Sequence, residues 1–387
     1  MVKGSFPEHY DILLVGAGLY NAVLAHRFQQ MGLRVCVVEK RGGDEIGGNC
    51  ATEKRDGVMI HKYGAHIFHT SDKSVWDFAN RFAHFSPFIN SPVAITHLRE
   101  GEETAVNLPF NMNTFSRVFG VTTPEEAKAI LDEATGKYIK PHYANLEEKA
   151  LSLVGERLYD RFISGYTEKQ WGRPCTELPP EIITRIPLRF TYNNNYFDDI
   201  YQGIPDEGYS QWIHNMFDKC TFYSGVNYLD NRHAFDGIAD HVFYSGRVDE
   251  FFGFKYCELE YRSLKFVTKK VETDNFQGVA VCNFTEKIPE YTRTIEHRHF
   301  MTAGEQAKIP SKTSYVTYEY PANMADTNEP FYSVNDEKNN ALYEKYKAEC
   351  PDNVTFVGRL GMYKYNDMDD TILSALNMDL SRFAHRF

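Results

Sequence analysis

Several things are missing from this chain, and each absence removes a class of function. There is no basic excess: 42 Lys and Arg stand against 53 Asp and Glu, a formal net charge of −11. Sequence-independent nucleic-acid binding needs a cationic face, so that class is set aside. An anionic small molecule stays open, because a few Arg or Lys in a pocket suffice for one. There is no paired cysteine motif either. Cys36, Cys50, Cys175, Cys220, Cys257, Cys282 and Cys350 are scattered, with no C-x-x-C. An odd, dispersed set reads as reduced thiols, which argues against a disulfide frame or a zinc site and for a cytoplasmic setting. No apolar run approaches the ~20 residues that span a bilayer. The segment Met1–Pro7 lacks the apolar core of a signal peptide. Repeats and low-complexity tracts are absent.

What is present is 387 residues with 42% apolar and 25% charged side chains, an ordinary globular composition. At roughly 150 residues per domain the length implies two or three domains. The 25 Tyr and 28 Phe stand out and call for a role.

Residues 10–18, YDILLVGAG, read as a buried parallel strand ending in a tight turn. Leu19, Val23, Leu24 and Phe28 then recur at helical spacing until Gly32, and residues 33–40 form a second apolar strand ending near Glu39. This is a βαβ opening. Thr123, Pro124 and Glu126 predict a capped helix start, and Asn145 with Glu148 predicts another. Ala150, Leu151, Val154, Leu158, Phe162 and Ile163 share one face of that second helix, which is expected to run into Gly165. After Cys175 the prolines Pro179, Pro180 and Pro187 break helices, and 192–197 reads as loop. Phe276–Phe284 and Ser314–Tyr320 predict antiparallel strands, and 354–359 a short strand ending in glycine.

Gly16-Ala17-Gly18 is a phosphate turn. The first glycine allows the bend, the second lets backbone approach a pyrophosphate, and the following helix N-terminus favours negative charge. Glu39 lies 21 positions after Gly18, where a carboxylate can accept ribose hydroxyl bonds. The third glycine of the fingerprint is Asn21, whose side chain is expected to crowd helix–strand packing. His66 and His69 stand three apart, but no further ligand sits at metal spacing, so no metal site is expected. His69 reads as a packing histidine.

The ordered set EKR…IGGN (Glu39 to Asn49), HKYGAHIFHT (His61–Thr70), LPFNMNTF (Leu108–Phe115), GYTEKQWGR (Gly165–Arg173), Arg185–Phe197, YQGIP (Tyr201–Pro205), LEYRSL (Leu259–Leu264), Tyr291–His297 and Gly358–Asp369 resembles bacterial UDP-galactopyranose mutases over nearly the whole chain. The resemblance implies an α/β fold: a Rossmann-like FAD-binding domain (1–90 with 214–246 and 345–387), an inserted helical bundle for the uridine (105–180), and a twisted antiparallel β-sheet domain with a mobile lid (181–213 with 247–344). It also implies an isomerase that interconverts UDP-galactopyranose and UDP-galactofuranose, supplying galactofuranose for cell-surface glycans. In that family reduced FAD attacks the anomeric carbon through N5 and expels UDP, a ring contraction without net redox. A homodimer and a reductant for the FAD are implied as partners, with no nucleic acid and no membrane insertion.

Residue by residue, the resemblance makes Arg185 and Arg293 the cations that steady charge growing on the departing diphosphate, Arg185 being carried on the lid. His66 lies near the flavin ring. Phe162, Tyr166, Thr167 and Trp171 form the uracil side, with Trp171 or Tyr166 as the stacking partner. Phe162 equally continues a core-facing helix stripe. Tyr196, Tyr332 and Tyr365 donate hydroxyl bonds to the diphosphate, and Asn90 and Asn283 sit near nucleotide or sugar. The cofactor contacts are Gly16, Gly18, Tyr20, Glu39, Asn49, His66, Ile67, Val226, Arg359, Asp367 and Met368. Local departures are Asn21, the loop Gly42-Gly43-Asp44-Glu45, and Arg247 where the family usually has Pro. Two other readings stay open. One is a flavin amine oxidase or desaturase-like oxidoreductase, and the other a non-catalytic homologue that holds FAD poorly.

Overall fold

Strands Tyr10–Val15 and Val35–Glu39 are buried along their length apart from a half-buried Asp11, as their Val-, Ile- and Leu-rich runs require of a sheet covered on both faces. The helix Leu19–Gln30 joins them and turns Ala22, Val23, Ala25 and Phe28 onto the sheet. The computed structural model describes residues 9–43, 45–183, 186–327 and 329–384. In it the two strands form the centre of a five-stranded parallel sheet completed by Thr221–Ser224, Ala239–Tyr244 and Val354–Phe356. Numbered along the chain, the spatial order is 3-2-1-4-5. The order reverses between the first and fourth strands, and such a switch point leaves a crevice beyond their carboxyl ends.

A seven-stranded sheet lies beside it, in the order Tyr332–Ser333, Tyr261–Val271, Ser314–Asn323, Arg293–Glu296, Val281–Phe284, Val93–Arg99 and Glu102–Asn107. All its ladders are antiparallel except that between Val281–Phe284 and Val93–Arg99. The expected strand over 276–284 is strand only from Val281. Upstream, the Phe276 and Gln277 amides donate to the buried Glu296 carboxylate, so a side chain takes the place of a ladder. Tyr201–Pro205 pairs with Phe68–Thr70 and Phe85–Pro87 in a small separate sheet, not with the seven strands.

Helices Met112–Phe119, Pro124–Gly136, Leu146–Leu158 and Gly165–Trp171 pack around their own core. The Thr123 and Glu126 capping box forms as expected, and Asn145 caps the third helix. Between the last two helices Tyr159–Ser164 widens into a π turn, so the chain continues through Gly165 as helix to Trp171 instead of ending there. Among the described residues no helix is long and apolar enough to cross a membrane.

Candidate functional site

At the crevice the chain turns at Gly16, whose φ of +96° belongs to the region glycine tolerates. A Cβ there would stand 2.2 Å from Ser245 Oγ. Asn21 does not crowd the turn. It is fully buried, and its Nδ2 donates to Val15 O (3.0 Å) and Gly16 O (2.8 Å), tying the helix to the strand end by hydrogen bonds where a third glycine would offer only space. Glu39 accepts from the Ala17 amide (2.7 Å) and the Arg41 amide (2.9 Å), so its carboxylate is held at the crevice edge with lone pairs to spare.

A cavity of about 650 Å³ opens here. Gly16, Gly18, Tyr20, Glu39, Asn49, His66, Ile67, Val226, Arg359, Asp367 and Met368 all line it, so the residues expected for a cofactor converge although they come from distant parts of the chain. A Cβ added at Gly18 would meet nothing within 4 Å; it would stand in the cavity.

A second cavity of about 250 Å³ adjoins it, lined by Asn90, Phe162, Tyr166 and Asn283 among others. Ala65, Ile67, Tyr196, Phe197 and Arg293 line both. Arg293 stands in a cross-strand row, paired with Asn283 on one side and Glu319 on the other, and residues so paired project from the same face. Its Nε lies 3.1 Å from Glu319 Oε1, off the line of a good hydrogen bond. Burial opposes the guanidinium charge, but the Glu319 carboxylate beside it outweighs burial and holds Arg293 firmly protonated. Tyr365 lines the larger cavity, stacked on Tyr332 at 5.5 Å and beneath the Arg359 guanidinium at 4.1 Å. Burial raises the hydroxyls of Tyr166 and Tyr332, which keeps them neutral donors.

Thr167, Trp171 and Tyr332 do not line either cavity; Tyr332 stands behind Tyr365. Thr167 is buried, and Trp171 packs against the helical core. Arg185 lies outside the described residues.

A model of the family described as UDP-galactopyranose mutase matches residues 161–365, and a NAD(P)-binding Rossmann-like model matches 14–82. The chain is 37% identical to a probable UDP-galactopyranose mutase of Klebsiella pneumoniae, over 95% of this chain and 93% of that one. The chain belongs to the UDP-galactopyranose mutase family. It is therefore an isomerase by family. It is also 32% identical to a dTDP-fucopyranose mutase of Escherichia coli, covering 94% of this chain and 96% of the relative. A crystal structure of reduced UDP-galactopyranose mutase shares the fold, with a TM-score of 0.68 at 17% identity over 95% of this chain and 94% of that one.

Within this member of the mutase family the turn Gly64–His66 is held by a line of buried histidines. His66 N–H donates to His61 Nδ1 (3.1 Å), and His61 N–H donates to His297 Nδ1 (3.2 Å). His297 Nε2 then meets Thr317 Oγ1 at 2.7 Å. The His66 ring contacts Gly64 O through Nδ1 at 2.9 Å. A carbonyl only accepts, so that nitrogen carries the proton and Nε2 is left as an acceptor. Burial lowers all three histidines: His66 to about 4, His297 to about 3, and His61 well below its usual value. Folded-state values below the unfolded one mean that unfolding takes up protons as pH falls below about 6.5, so stability declines there. For the fully buried His61 and His297 the slope is up to about 1.4 kcal/mol per pH unit each. The urea midpoint is expected to fall from pH 7.5 to pH 5, and less steeply in His297→Asn; an unchanged midpoint in the native protein would refute this.

Several residues at the site went unsignalled. Glu319, the partner of Arg293, is one acidic residue among aromatics on its strand, and only the register reveals it. Phe197 stood in a quoted motif without a role, yet it walls both cavities and stacks on His69 at 3.6 Å. His69 in turn contacts Asp199 at 2.7 Å, a satisfied packing histidine on the larger cavity's wall. Arg247, the departure from Pro, is buried and forked onto Asp249 (2.6 and 3.2 Å), with its guanidinium over Tyr261 at 5.1 Å. Asp249 also accepts the Leu259 amide, so the added charge ties the end of one sheet to the start of the other.

Proposed function

We propose that the larger cavity binds FAD, that the smaller takes a UDP-sugar, and that the enzyme interconverts UDP-galactopyranose and UDP-galactofuranose. The observation that carries this is Arg293 on the wall shared by the two cavities, in line with Asn283 and Glu319. The donor set fits the cofactor: a glycine turn bare of side chains, a helix N-terminus beyond it, and Glu39 where a ribose would sit. Bound and reduced, a flavin supplies a nucleophilic ring nitrogen for the anomeric carbon.

The chain's own residues do the rest. Arg293 is fixed beside the place where the diphosphate leaves, so its charge stabilises the transition state without reorganising. Arg185 is assigned as the second cation on the strength of its flanking motif. Tyr166, Tyr196, Tyr332 and Tyr365 offer neutral donors, which adds no unpaired buried charge. Asn90 Oδ1 is buried with no partner among the described residues, on the smaller cavity's wall, and is free to accept from a nucleotide or sugar group. Phe162 and Tyr166 form the apolar side for the base, and Trp171 acts behind them as support.

The family membership and the tyrosine and arginine set favour this over an oxidoreductase. The similarity to a dTDP-fucopyranose mutase supports a second reading, in which the base is thymine and the sugar a 6-deoxy one. In either case the product is a furanose donor for cell-surface glycans, and the reductant comes from the cell. The test is turnover with UDP-galactofuranose and with a dTDP-fucose substrate, with and without dithionite, alongside the flavin spectrum. Conversion only after reduction is expected, with UDP-galactofuranose preferred. Equal turnover by air-oxidised enzyme would overturn the mechanism, and a protein that reduces without isomerising would favour the oxidoreductase.

A further inference from the structure

The segment Tyr159–Trp171 has two working faces. Phe162 and Tyr166, four residues apart, line the smaller cavity. Arg161, Gly165 and Lys169, also four apart, meet the strand Val281–Phe284 and the turn that leads on to Arg293. Arg161 O accepts from Thr285 Oγ1 at 2.6 Å. At Gly165 a Cβ would stand 2.6 Å from Thr285 O and 3.1 Å from Glu286 Cα, so only bare backbone fits against the turn. Lys169 Nζ donates to Phe284 O (2.8 Å), Pro289 O (2.9 Å) and Tyr291 O (3.0 Å). An ammonium has three protons, and all three are spent on one turn of backbone. Burial draws Lys169 down to about 8, with Glu286 opposing. A second pair, Lys287 with Glu168 at 2.7 Å, joins the same two pieces, but with Lys287 72% exposed it is screened and weak.

We propose that Lys169 is a positioning residue that sets the width of the nucleotide cavity. By gathering three carbonyls of the 284–291 turn it fixes the wall carrying Phe162 and Tyr166 against the strands carrying Asn283 and Arg293. Neither cavity touches Lys169 itself, so its effect passes through Tyr166. The inference rests on the reading of the smaller cavity as the nucleotide site.

The test titrates UDP into the oxidised, FAD-loaded enzyme and its variants by calorimetry, and measures FAD affinity separately by flavin fluorescence. In Lys169→Met the Kd for UDP is expected to rise about tenfold or more, with KM following it, while FAD affinity and kcat stay within about threefold. Lys287→Met is expected to bind UDP as the native enzyme does. UDP affinity in Lys169→Met within about twofold of native overturns the proposal, and so does an equal loss of UDP and FAD affinity, which marks general loosening. Should Lys169→Met fail to fold, Lys169→Arg keeps the charge but not the three-way geometry, and native UDP affinity in that variant overturns the proposal as well. If the native holoenzyme itself does not bind UDP, the reading of the cavity fails first, a result that needs no substitution to see.

Discussion

Arg293→Ala is expected to abolish measurable turnover while the protein keeps its flavin. Losing one fixed donor at a developing charge costs roughly 10²–10³ in rate. The variant carries a second effect that must be separated from the first. Glu319 is 1% exposed and faces Arg293 across the ladder, so truncation strands a buried carboxylate. Breaking a buried pair from one side costs about 3–5 kcal/mol. Arg293→Ala combined with Glu319→Gln removes the orphaned charge, so it should recover most of the lost melting temperature and none of the turnover. Recovery of both would mean that Arg293 serves the sheet and not the reaction. Loss of flavin in the single variant would assign Arg293 to cofactor binding instead.

Gly16→Ala is expected to yield a colourless protein. The residue must hold φ near +96°, which costs an L-residue about 1–2 kcal/mol, and its methyl would fall 2.2 Å from Ser245 Oγ. Ser245 could yield only by giving up its 2.7 Å bond to Val15 O, which shapes the same turn. Gly18→Ala makes the informative contrast. Its φ of −84° suits any residue and its methyl meets no protein atom, so the fold should be untouched and only the cavity obstructed. Both variants should lose flavin absorbance on purification, but only Gly16→Ala should also melt earlier. If Gly18→Ala holds flavin at native stoichiometry, the cofactor does not lie against this turn.

These two tests bear on parts of the molecule that were unequally legible in the sequence. The phosphate turn and Glu39 could be read from 30 consecutive residues, because local chemistry determines them: a strand, a glycine bend, a helix and a carboxylate at fixed spacing. The caps at Thr123 and Asn145 were equally local. Glu319 and Lys169 could not be read that way. Their meaning comes from partners 26 and more than 100 residues away, joined by strand register and by a turn no short pattern announces. Asn21 was misread for a related reason. The fingerprint describes the room a glycine leaves, whereas this chain fills the room with an amide that bonds both carbonyls of the bend. Helix continuity past Gly165 was also hidden, since a glycine there reads as a helix stop and only the structure shows the π turn that carries the chain through it.

The parallel sheet has a consequence for how the enzyme is made. Its five strands come from residues 10–39, 221–244 and 354–356, and the cavity wall takes in Arg359, Asp367 and Met368 and runs on to Thr371. On the ribosome the first strand therefore emerges long before the neighbour that covers its inner edge, and it waits as an unpaired edge through some two hundred residues of synthesis. The larger cavity cannot close until Thr371, the last residue of its wall, has left the tunnel. Closing the cavity is thus a late event of synthesis, and a ribosome that stalls short of residue 354 releases a polypeptide with neither a closed sheet nor a finished cavity.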